Sequence, residues 1–486
     1  MLYKLRKDCY IRLIGDYGYI KSIGLFNDQV FDKSGQMFIK ELSKIPKSID
    51  QLANDISKNF ANTSCEEIKD DVVDFFEKLV EDGFVSKGET IEDIEKNDVG
   101  FTYKKIMNPI QIYDYTPNET RSSVSSQDLL DNYFVNNPYL SRFQIELTSK
   151  CNERCIHCYI PHEYKNALID EKLFYSILDQ LKEMGTLSVT LSGGEPLLHP
   201  KFKEFLKAAK ERDFYVHVLS NLTLLDDEMI RIMREGNTCG VQVSLYSMKP
   251  NIHDAITTVK GSFEKTINSI LKLIANDIPV QISCPIMNAN KDELAGVYEW
   301  ALEHNIKVAC DYSIMAEYNH NTDNLANRIT PEEAGNVIKT IIAYNEDYRN
   351  RILSNEFSEN ESKINTNPDE ILCGVGINSC CMVSNGNVYP CPGWQGYVCG
   401  NANDNSIYDI WFNSEKMNYL RSLRKKDLKK CLSCDNKAFC HPCLGRFANE
   451  SKTGNPLEIA DHFCKVAAVN KNVVHEYITV NKTNKH

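Results

Sequence analysis

The chain has 486 residues, 42% of them hydrophobic, so it is long enough for two or three domains with hydrophobic cores. A formal net charge of −12 excludes the basic field that attracts nucleic acid or anionic lipid, and we expect a peptide or small-molecule partner. The N-terminal segment lacks the features of a signal peptide, and no apolar run approaches the roughly 20 residues of a membrane span. We therefore expect a cytoplasmic protein without membrane contact, in which 18 cysteines indicate metal ligation rather than disulfides.

Residues 1–88 have the pattern of short strands followed by helices. The segments CYIRLIG, YGYIKSIG and QVFD are separated by turn signals and predict three small strands. Three amphipathic segments follow, and the last carries apolar residues at helical spacing until Gly83, which predicts the helix end. This pattern predicts a small winged-helix-like α+β domain without a catalytic constellation.

Residues 89–140 are polar and predict a linker, whereas residues 141–320 alternate between strand and helix patterns. The strand candidates of this second region are 143–147, 187–193, 215–221, 241–246, 280–286 and 307–312. Such alternation predicts βαβ units and a parallel sheet of six strands in an open or partial barrel. In such folds the chemistry gathers at the carboxyl ends of the strands, and Cys151 follows the first strand by four residues.

The segment CNERCIHC contains three cysteines, Cys151, Cys155 and Cys158. A tetrahedral structural zinc site needs four nitrogen or sulfur ligands, whereas a four-iron cluster held by three thiolates leaves one iron open. A zinc site completed by His157 or by a distant cysteine is the alternative. After the second strand comes SGGEP, residues 192–196, in which two glycines allow close backbone approach and a carboxylate suits an amino group. Alone, SGGEP is equally typical of a strand-to-helix turn, but the two motifs together are far more specific.

The combination of CNERCIHC and GGEP on consecutive βα units resembles the radical S-adenosylmethionine (SAM) enzymes. The resemblance implies a partial (β/α)6 barrel in which the three cysteines bind a [4Fe–4S] cluster, with the amino and carboxylate groups of SAM on the fourth iron. It implies a set of SAM contacts, with the methionine amino end at Gly193, Gly194 and Glu195, adenine near His157, and ribose and carboxylate at Ser220, Asn221 and Ser244.

The C-terminal region is dense in cysteine, and CLSC and CHPC on their own are also typical of a zinc ribbon. The order of its cysteines resembles the SPASM extension of radical SAM peptide-modifying enzymes, although only two residues separate Cys440 from Cys443. The resemblance implies two auxiliary [4Fe–4S] clusters and thus three clusters in all. One would be held by Cys431, Cys434, Cys440 and Cys464, and the other by Cys373, Cys391 and Cys443, with Cys380 or Cys381 as a further ligand or an open iron.

These patterns divide the rest of the chain into a bridging region at 321–372, a SPASM domain at 373–470 and a tail at 471–486. The first domain resembles the PqqD-like recognition element, which implies capture of a leader peptide as an added strand. The resemblance implies an enzyme that forms thioether cross-links in a cysteine-containing precursor peptide of the sactipeptide or ranthipeptide type. It would receive electrons from flavodoxin or ferredoxin. Formylglycine formation, carbon–carbon cross-linking and a zinc-containing leader-binding scaffold are the alternatives.

Overall fold

The computed structural model describes residues 1–22, 27–61, 63–98, 100–103, 129–130, 133–134, 136–164, 166–235, 238–353 and 368–483. Most of the predicted linker at 89–140 therefore lies outside the described residues. Within the described ranges, none of the helices combines the length and the apolar composition that a bilayer crossing requires.

The N-terminal unit contains six short strands and four helices. They are β1 Leu2–Leu5, β2 Cys9–Ile14, β3 Tyr17–Ser22, β4 Asn27–Phe31, α1 Lys33–Ile39, β5 Lys47–Ser48, α2 Ile49–Ser57, α3 Cys65–Glu81, β6 Val85–Gly88 and α4 Ile91–Asn97. The three predicted strands are β2, β3 and β4, which form an antiparallel sheet in chain order with β4 at one edge. The second small sheet, β5-β1-β6, and helix α4 were not predicted from the sequence. Helix α4 begins inside the predicted linker and packs against β6.

Helix α3 follows the predicted pattern and forms part of the core of this unit. It begins with a capping box at Ser64 and buries Ile68, Val72, Phe76 and Leu79. Gly83, with a φ of +79°, lies just after its end, as the sequence predicts for a left-handed C-terminal residue.

The second region forms the six predicted parallel strands with helices between them. They are β7 Arg142–Thr148, α5 Glu171–Glu183, β8 Ser188–Gly193, α6 Phe202–Glu211, β9 Tyr215–Ser220, α7 Asp227–Glu235, β10 Thr238–Ser244, α8 Pro250–Thr257, α9 Ser262–Ala275, β11 Val280–Pro285, α10 Leu294–Glu303 and β12 Lys307–Asp311. The strands lie in the order β12-β11-β10-β9-β8-β7, and each adjacent pair is parallel. Their apolar residues form the largest core cluster with α5, α6 and α9.

The C-terminal region adds helices and extends the same sheet. Its elements are α11 Pro331–Tyr344, α12 Glu346–Leu353, β13 Ser379–Met382, β14 Asn387–Tyr389, β15 Gly400–Asn401, α13 Ile407–Asn413, α14 Glu415–Ser422, α15 Lys429–Leu432, α16 Leu444–Glu450 and α17 Asp461–Thr483. Strand β13 pairs in parallel with β7, and β14 and β15 continue the sheet to nine strands. Helix α17 continues through the predicted boundary at residue 470 and packs along α11.

The N-terminal unit docks at the amino ends of the barrel strands. Arg12 donates hydrogen bonds to the carbonyl oxygens of Thr186 at 3.1 Å and Asp213 at 2.6 Å, just before β8 and β9. Lys44 forms an ion pair with the Asp213 carboxylate at 2.7 Å. The unit is therefore placed at the opposite ends of the strands from the loop that carries CNERCIHC.

Candidate functional site

The three cysteines of CNERCIHC come together in the loop after β7. Burial raises the pKa of the Cys155 thiol well above its ordinary value, and the nearby charges of Glu153, Cys158 and Cys151 raise it further. The backbone N–H groups of Arg154 and Ile156 donate to the carbonyl oxygens of Thr257 and Ile256, each at 3.1 Å. These hydrogen bonds hold the loop against α8.

The glycines of SGGEP bring the end of β8 against the beginning of the cysteine loop. Gly194 N donates to Thr148 O at 2.8 Å, and Glu195 N donates to Lys150 O at 2.9 Å. A Cβ atom on Gly193, whose φ is +146°, would lie 2.2 Å from Thr148 O, and one on Gly194 would lie 2.4 Å from Lys150 O. Only glycine fits at these two positions, because a side chain would displace the backbone of the loop.

Glu195 is fully buried and its carboxylate oxygens are already occupied by protein donors. It accepts hydrogen bonds from Leu197 N at 3.0 Å, Ser220 Oγ at 2.8 Å and Asn221 N at 2.8 Å. The pKa of Glu195 is raised to about 7, because the effect of burial, which raises it, exceeds the effect of these hydrogen bonds, which lower it. Glu195 therefore ties the end of β8 to the end of β9.

The other predicted SAM contacts lie around the same loop. Asn221 Nδ2 donates to Asn152 Oδ1 at 2.9 Å, which links β9 to the cysteine loop. The His157 ring meets the Tyr246 ring edge to face, with centroids 5.2 Å apart. Ser244 lies at the end of β10, where its hydroxyl interacts with the hydroxyl of Tyr246. The structure thus brings these predicted residues to one rim.

Glu153 was not singled out by the sequence analysis, although it lies inside the quoted motif. It is only 3% exposed, and burial raises its pKa to about 7. Its Oε2 atom accepts from Cys155 Sγ at 3.6 Å, whereas its Oε1 atom has no hydrogen-bond partner among the described residues. An acidic residue between two candidate ligand cysteines was the available signal.

Cys373, Cys391 and Cys443 also come together, although 69 residues of chain lie between the first and the last. The pKa of Cys391 is raised to about 11, first by burial and also by the nearby thiols of Cys443 and Cys373. The pKa of Cys373 is raised in the same way, by burial first and then by Cys443.

Cys380 and Cys381 are neighbours in β13 and therefore point to opposite faces of the sheet. The pKa of the Cys381 thiol is raised by burial first and then by the nearby Glu146 and Cys391. Cys381 therefore lies beside the group of Cys373, Cys391 and Cys443. Cys380 lies in the hydrophobic core near Cys399 and Arg421. The structure therefore favours Cys381 over the predicted Cys380 as the cysteine nearest this group.

Cys431, Cys434, Cys440 and Cys464 form a third group of thiols. The pKa of Cys440 is raised to about 11, first by burial and then by the nearby Cys431, Cys464 and Cys434. The thiol of Cys464 comes from α17, after the loop that carries the other three. Of the six remaining cysteines, Cys9, Cys239, Cys284 and Cys399 are buried, whereas Cys65 and Cys310 are partly exposed.

A further buried carboxyl group lies between the first two thiol groups. Glu146 accepts a hydrogen bond from Gln395 Nε2 at 2.7 Å, and burial raises its pKa to about 8. The pKa of Tyr159 is raised by burial first and then by Glu146, Cys158, Cys381 and Cys391. Tyr159 and Glu146 therefore lie between the cysteine loop and the group of Cys373, Cys391 and Cys443, which we call the near C-terminal group. No motif in the sequence indicated either residue.

Two family models match the chain at these sites. Residues 145–301 match the Radical SAM superfamily, and residues 373–435 match an iron–sulfur cluster-binding domain of the SPASM type. The chain thus carries both predicted domains, and SAM and [4Fe–4S] clusters are its cofactors.

The curated relatives act on different substrates. The chain is 26% identical over 336 residues to the AdoMet-dependent heme synthase of Methanosarcina barkeri, covering 64% of this chain and 93% of that protein. It is 32% identical over 157 residues to the sporulation killing factor maturation protein SkfB of Bacillus subtilis, covering 32% of this chain and 38% of that protein.

Among solved structures, the fold resembles SuiB of Streptococcus suis bound to its precursor peptide SuiA. The TM-score is 0.58 at 16% identity, and the alignment covers 95% of this chain and 99% of SuiB. The similarity to SuiB extends over the N-terminal unit as well as the two matched domains, and it concerns the fold alone.

The residues of the first site fit these cofactors. Three thiols lie close together, the glycine backbone leaves no room for a side chain beside them, and one buried carboxylate oxygen lacks a partner among the residues that the structure describes. Thiolates, close backbone and an acceptor for an amino group are the features that a cluster with bound SAM requires.

Gly194→Ala should damage this site, because its new Cβ would overlap the carbonyl oxygens of Lys150 and Ser149. We expect a loss of about 3 kcal/mol in stability, or loss of about four irons per chain, measured by thermal unfolding and iron analysis. The matched control is Gly296→Ala in α10, where no atom lies within 4 Å of the new Cβ. A Gly194→Ala protein with parent stability and parent iron content would contradict the close-approach argument.

Proposed function

We propose that this chain is a radical SAM enzyme that modifies a ribosomally made, cysteine-containing precursor peptide by forming cysteine sulfur-to-carbon thioether cross-links. The observation that carries the proposal is the arrangement of the thiols in three groups, with Tyr159 and Glu146 between the first group and the near C-terminal group. A substrate carbon and an electron acceptor can then share one buried volume. Forming a thioether from a thiol and a C–H group removes two electrons, so a nearby acceptor is a chemical requirement.

The proposed ligand sets follow the thiol groups. Cys151, Cys155 and Cys158 would hold the first cluster, and Cys373, Cys391 and Cys443, with Cys381 as fourth ligand, would hold the near auxiliary cluster. Cys431, Cys434, Cys440 and Cys464 would hold the outer one. The cluster held by Cys151, Cys155 and Cys158 would supply the electron for reductive cleavage of SAM, the chemistry that would remove a hydrogen atom from the peptide.

The chain's own residues orient the cofactor and shield the reaction. Gly193 and Gly194 admit the methionine end by close backbone approach, and the Glu195 network fixes the ends of β8 and β9 around it. Ser244 and His157 border the adenosine side. Burial around Tyr159 and Glu146 would keep water from a radical on the peptide.

The N-terminal unit would bind the leader of the precursor peptide. Among the described residues, strand β4 pairs with β3 alone, so its other edge can accept an added strand. Beside it, the Phe75 ring on α3 contacts the Phe31 and Phe38 rings, with centroids 5.4 and 4.9 Å apart. These partly buried rings would form the floor on which leader side chains pack. A flavodoxin or ferredoxin would deliver the electrons.

The cluster assignment predicts the iron content. Eleven cysteines in three groups should hold about 12 irons per chain after anaerobic reconstitution. Replacing Cys151, Cys155 and Cys158 together with alanine should remove about four irons and abolish 5′-deoxyadenosine formation, measured by iron analysis and chromatography. Deoxyadenosine formation by the triple variant at the parent rate would refute the first ligand set. A zinc-containing scaffold would show zinc and no absorption near 400 nm.

The outer group should be needed for ring formation but not for SAM cleavage. Cys431→Ala and Cys464→Ala should still produce deoxyadenosine, whereas the peptide should no longer lose two hydrogens per ring by mass spectrometry. Cys65→Ala, in a cysteine outside the three groups, is the control and should act like the parent. Parent ring formation in variants that lack one cluster by spectroscopy would contradict the proposal. Formylglycine or a carbon–carbon link would be distinguished by fragmentation of the product.

Leader binding should depend on the open edge of β4. Adjacent residues of a strand direct their N–H groups to opposite sides, so in Gln29→Pro or Val30→Pro one lost donor faces the open edge. The variant that keeps the parent melting temperature should bind the leader at least about tenfold more weakly, a change of about 1.4 kcal/mol, while cleaving SAM normally. Parent leader affinity in that variant, measured by calorimetry, would exclude this edge.

A further inference from the structure

Glu153 has an unusual position for an acidic side chain. It lies between Cys151 and Cys155 in the cysteine loop and is only 3% exposed. Its Oε1 atom has no hydrogen-bond partner among the described residues, although the atom is buried. A buried carboxylate oxygen without a donor costs free energy of folding, so a ligand that brings a donor to this point would be favoured.

The surrounding groups are occupied by other contacts. Glu195 uses its oxygens for Leu197, Ser220 and Asn221, and Asp254 accepts from Gly261 N at 2.6 Å and Phe263 N at 2.9 Å. The Asn221 side chain donates to Asn152 and also forms a hydrogen bond with Glu153 that lowers the pKa of this carboxyl group. Among the described residues, Glu153 Oε1 is nevertheless a buried acceptor without a partner, whereas both oxygens of Glu195 accept from protein donors.

Iron binding would increase the demand for a donor. The hydrogen bond that the Cys155 thiol donates to Glu153 Oε2 at 3.6 Å would be lost, because a cysteine that ligates iron as thiolate has no hydrogen to donate. Both oxygens of Glu153 would then face the cluster without that partner. Of the groups that SAM places next to the cluster, the amino group supplies N–H donors, whereas the carboxylate would be repelled.

We propose that Glu153, rather than Glu195, accepts the hydrogen bond from the amino group of bound SAM. The inference rests on the proposed function, because it requires that Cys151, Cys155 and Cys158 hold the cluster to which SAM binds. In this arrangement Glu195 is a positioning residue that ties β8 to β9, and Glu153 recognises the cofactor.

The experiment compares three ligands on cluster-loaded, full-length protein by calorimetry. These are SAM, S-adenosylhomocysteine, which keeps the amino group without the sulfonium charge, and 5′-methylthioadenosine, which lacks the amino group. Glu153→Gln should weaken SAM and S-adenosylhomocysteine by at least tenfold and leave 5′-methylthioadenosine unchanged. Adding SAM should also shift the electron paramagnetic resonance signal of the reduced cluster less than in the parent. The control is Glu163→Gln, an exposed glutamate in the short 3₁₀ turn at 162–164.

Several outcomes would overturn the inference. Equal weakening of all three ligands would mean general damage to the site, and a loss confined to SAM would mean recognition of the sulfonium group. Unchanged affinities would exclude a role for Glu153 in binding. If Glu153→Gln loses the first cluster, Glu153→Asp is compared in the same way, and loss of the cluster in both variants would assign Glu153 to the loop instead. A parent protein that does not bind SAM would instead refute the proposed function.

Discussion

The close contact of two backbone segments at the ends of β7 and β8 is the constraint on which the rest of the site depends. The pairing of these strands becomes irregular at Thr148 and Gly193, where Gly194 and Glu195 donate to the carbonyl oxygens of Thr148 and Lys150. Because there is no room for a Cβ atom, the loop of three cysteines begins directly against the SGGEP turn. The thiols and the glycine backbone then form two walls of one small space. A looser contact would place the cysteines and the glycines too far apart to hold a cluster and its ligand together.

Strand β7 has a second role, because it joins the barrel to the C-terminal domain. One edge of β7 pairs with β8 and the other pairs with β13, so the cysteine-rich domain extends the same sheet. This pairing brings Cys381 opposite Gln144 and near Glu146, and Gln395 then reaches Glu146 from the same domain. The distance between the first thiol group and the near auxiliary group is therefore fixed by the hydrogen bonds of a sheet.

The site is unusually rich in buried carboxyl groups. Glu146, Glu153 and Glu195 are each at most 3% exposed, and burial raises the pKa of all three. Such groups are stable only when donors or cations meet them. Glu195 has three donors and Glu146 has Gln395, whereas one oxygen of Glu153 has no donor among the described residues. A cofactor whose amino group carries N–H donors matches the vacant acceptor on Glu153. The N-terminal unit is bound through Arg12 at the opposite ends of the strands and is therefore distant from these three carboxyl groups.

The sequence by itself determined the elements whose patterns are local. Alternating strand and helix periodicity predicted the six parallel strands, and apolar spacing with Gly83 predicted α3 and its end. The spacing of the cysteines within CNERCIHC predicted the first group of thiols, whereas the two C-terminal groups were predicted only through the resemblance of their order to the SPASM extension. What only the tertiary structure decided are contacts between segments far apart in the chain. The pairing of β13 with β7, the choice of Cys381 over Cys380, and the meeting of Glu146 with Gln395 depend on strand register and on which face of a strand is turned inward. A one-residue shift in register would turn the side chains of the strand to the other face of the sheet. Neither the composition nor the spacing of residues within one segment predicts that register.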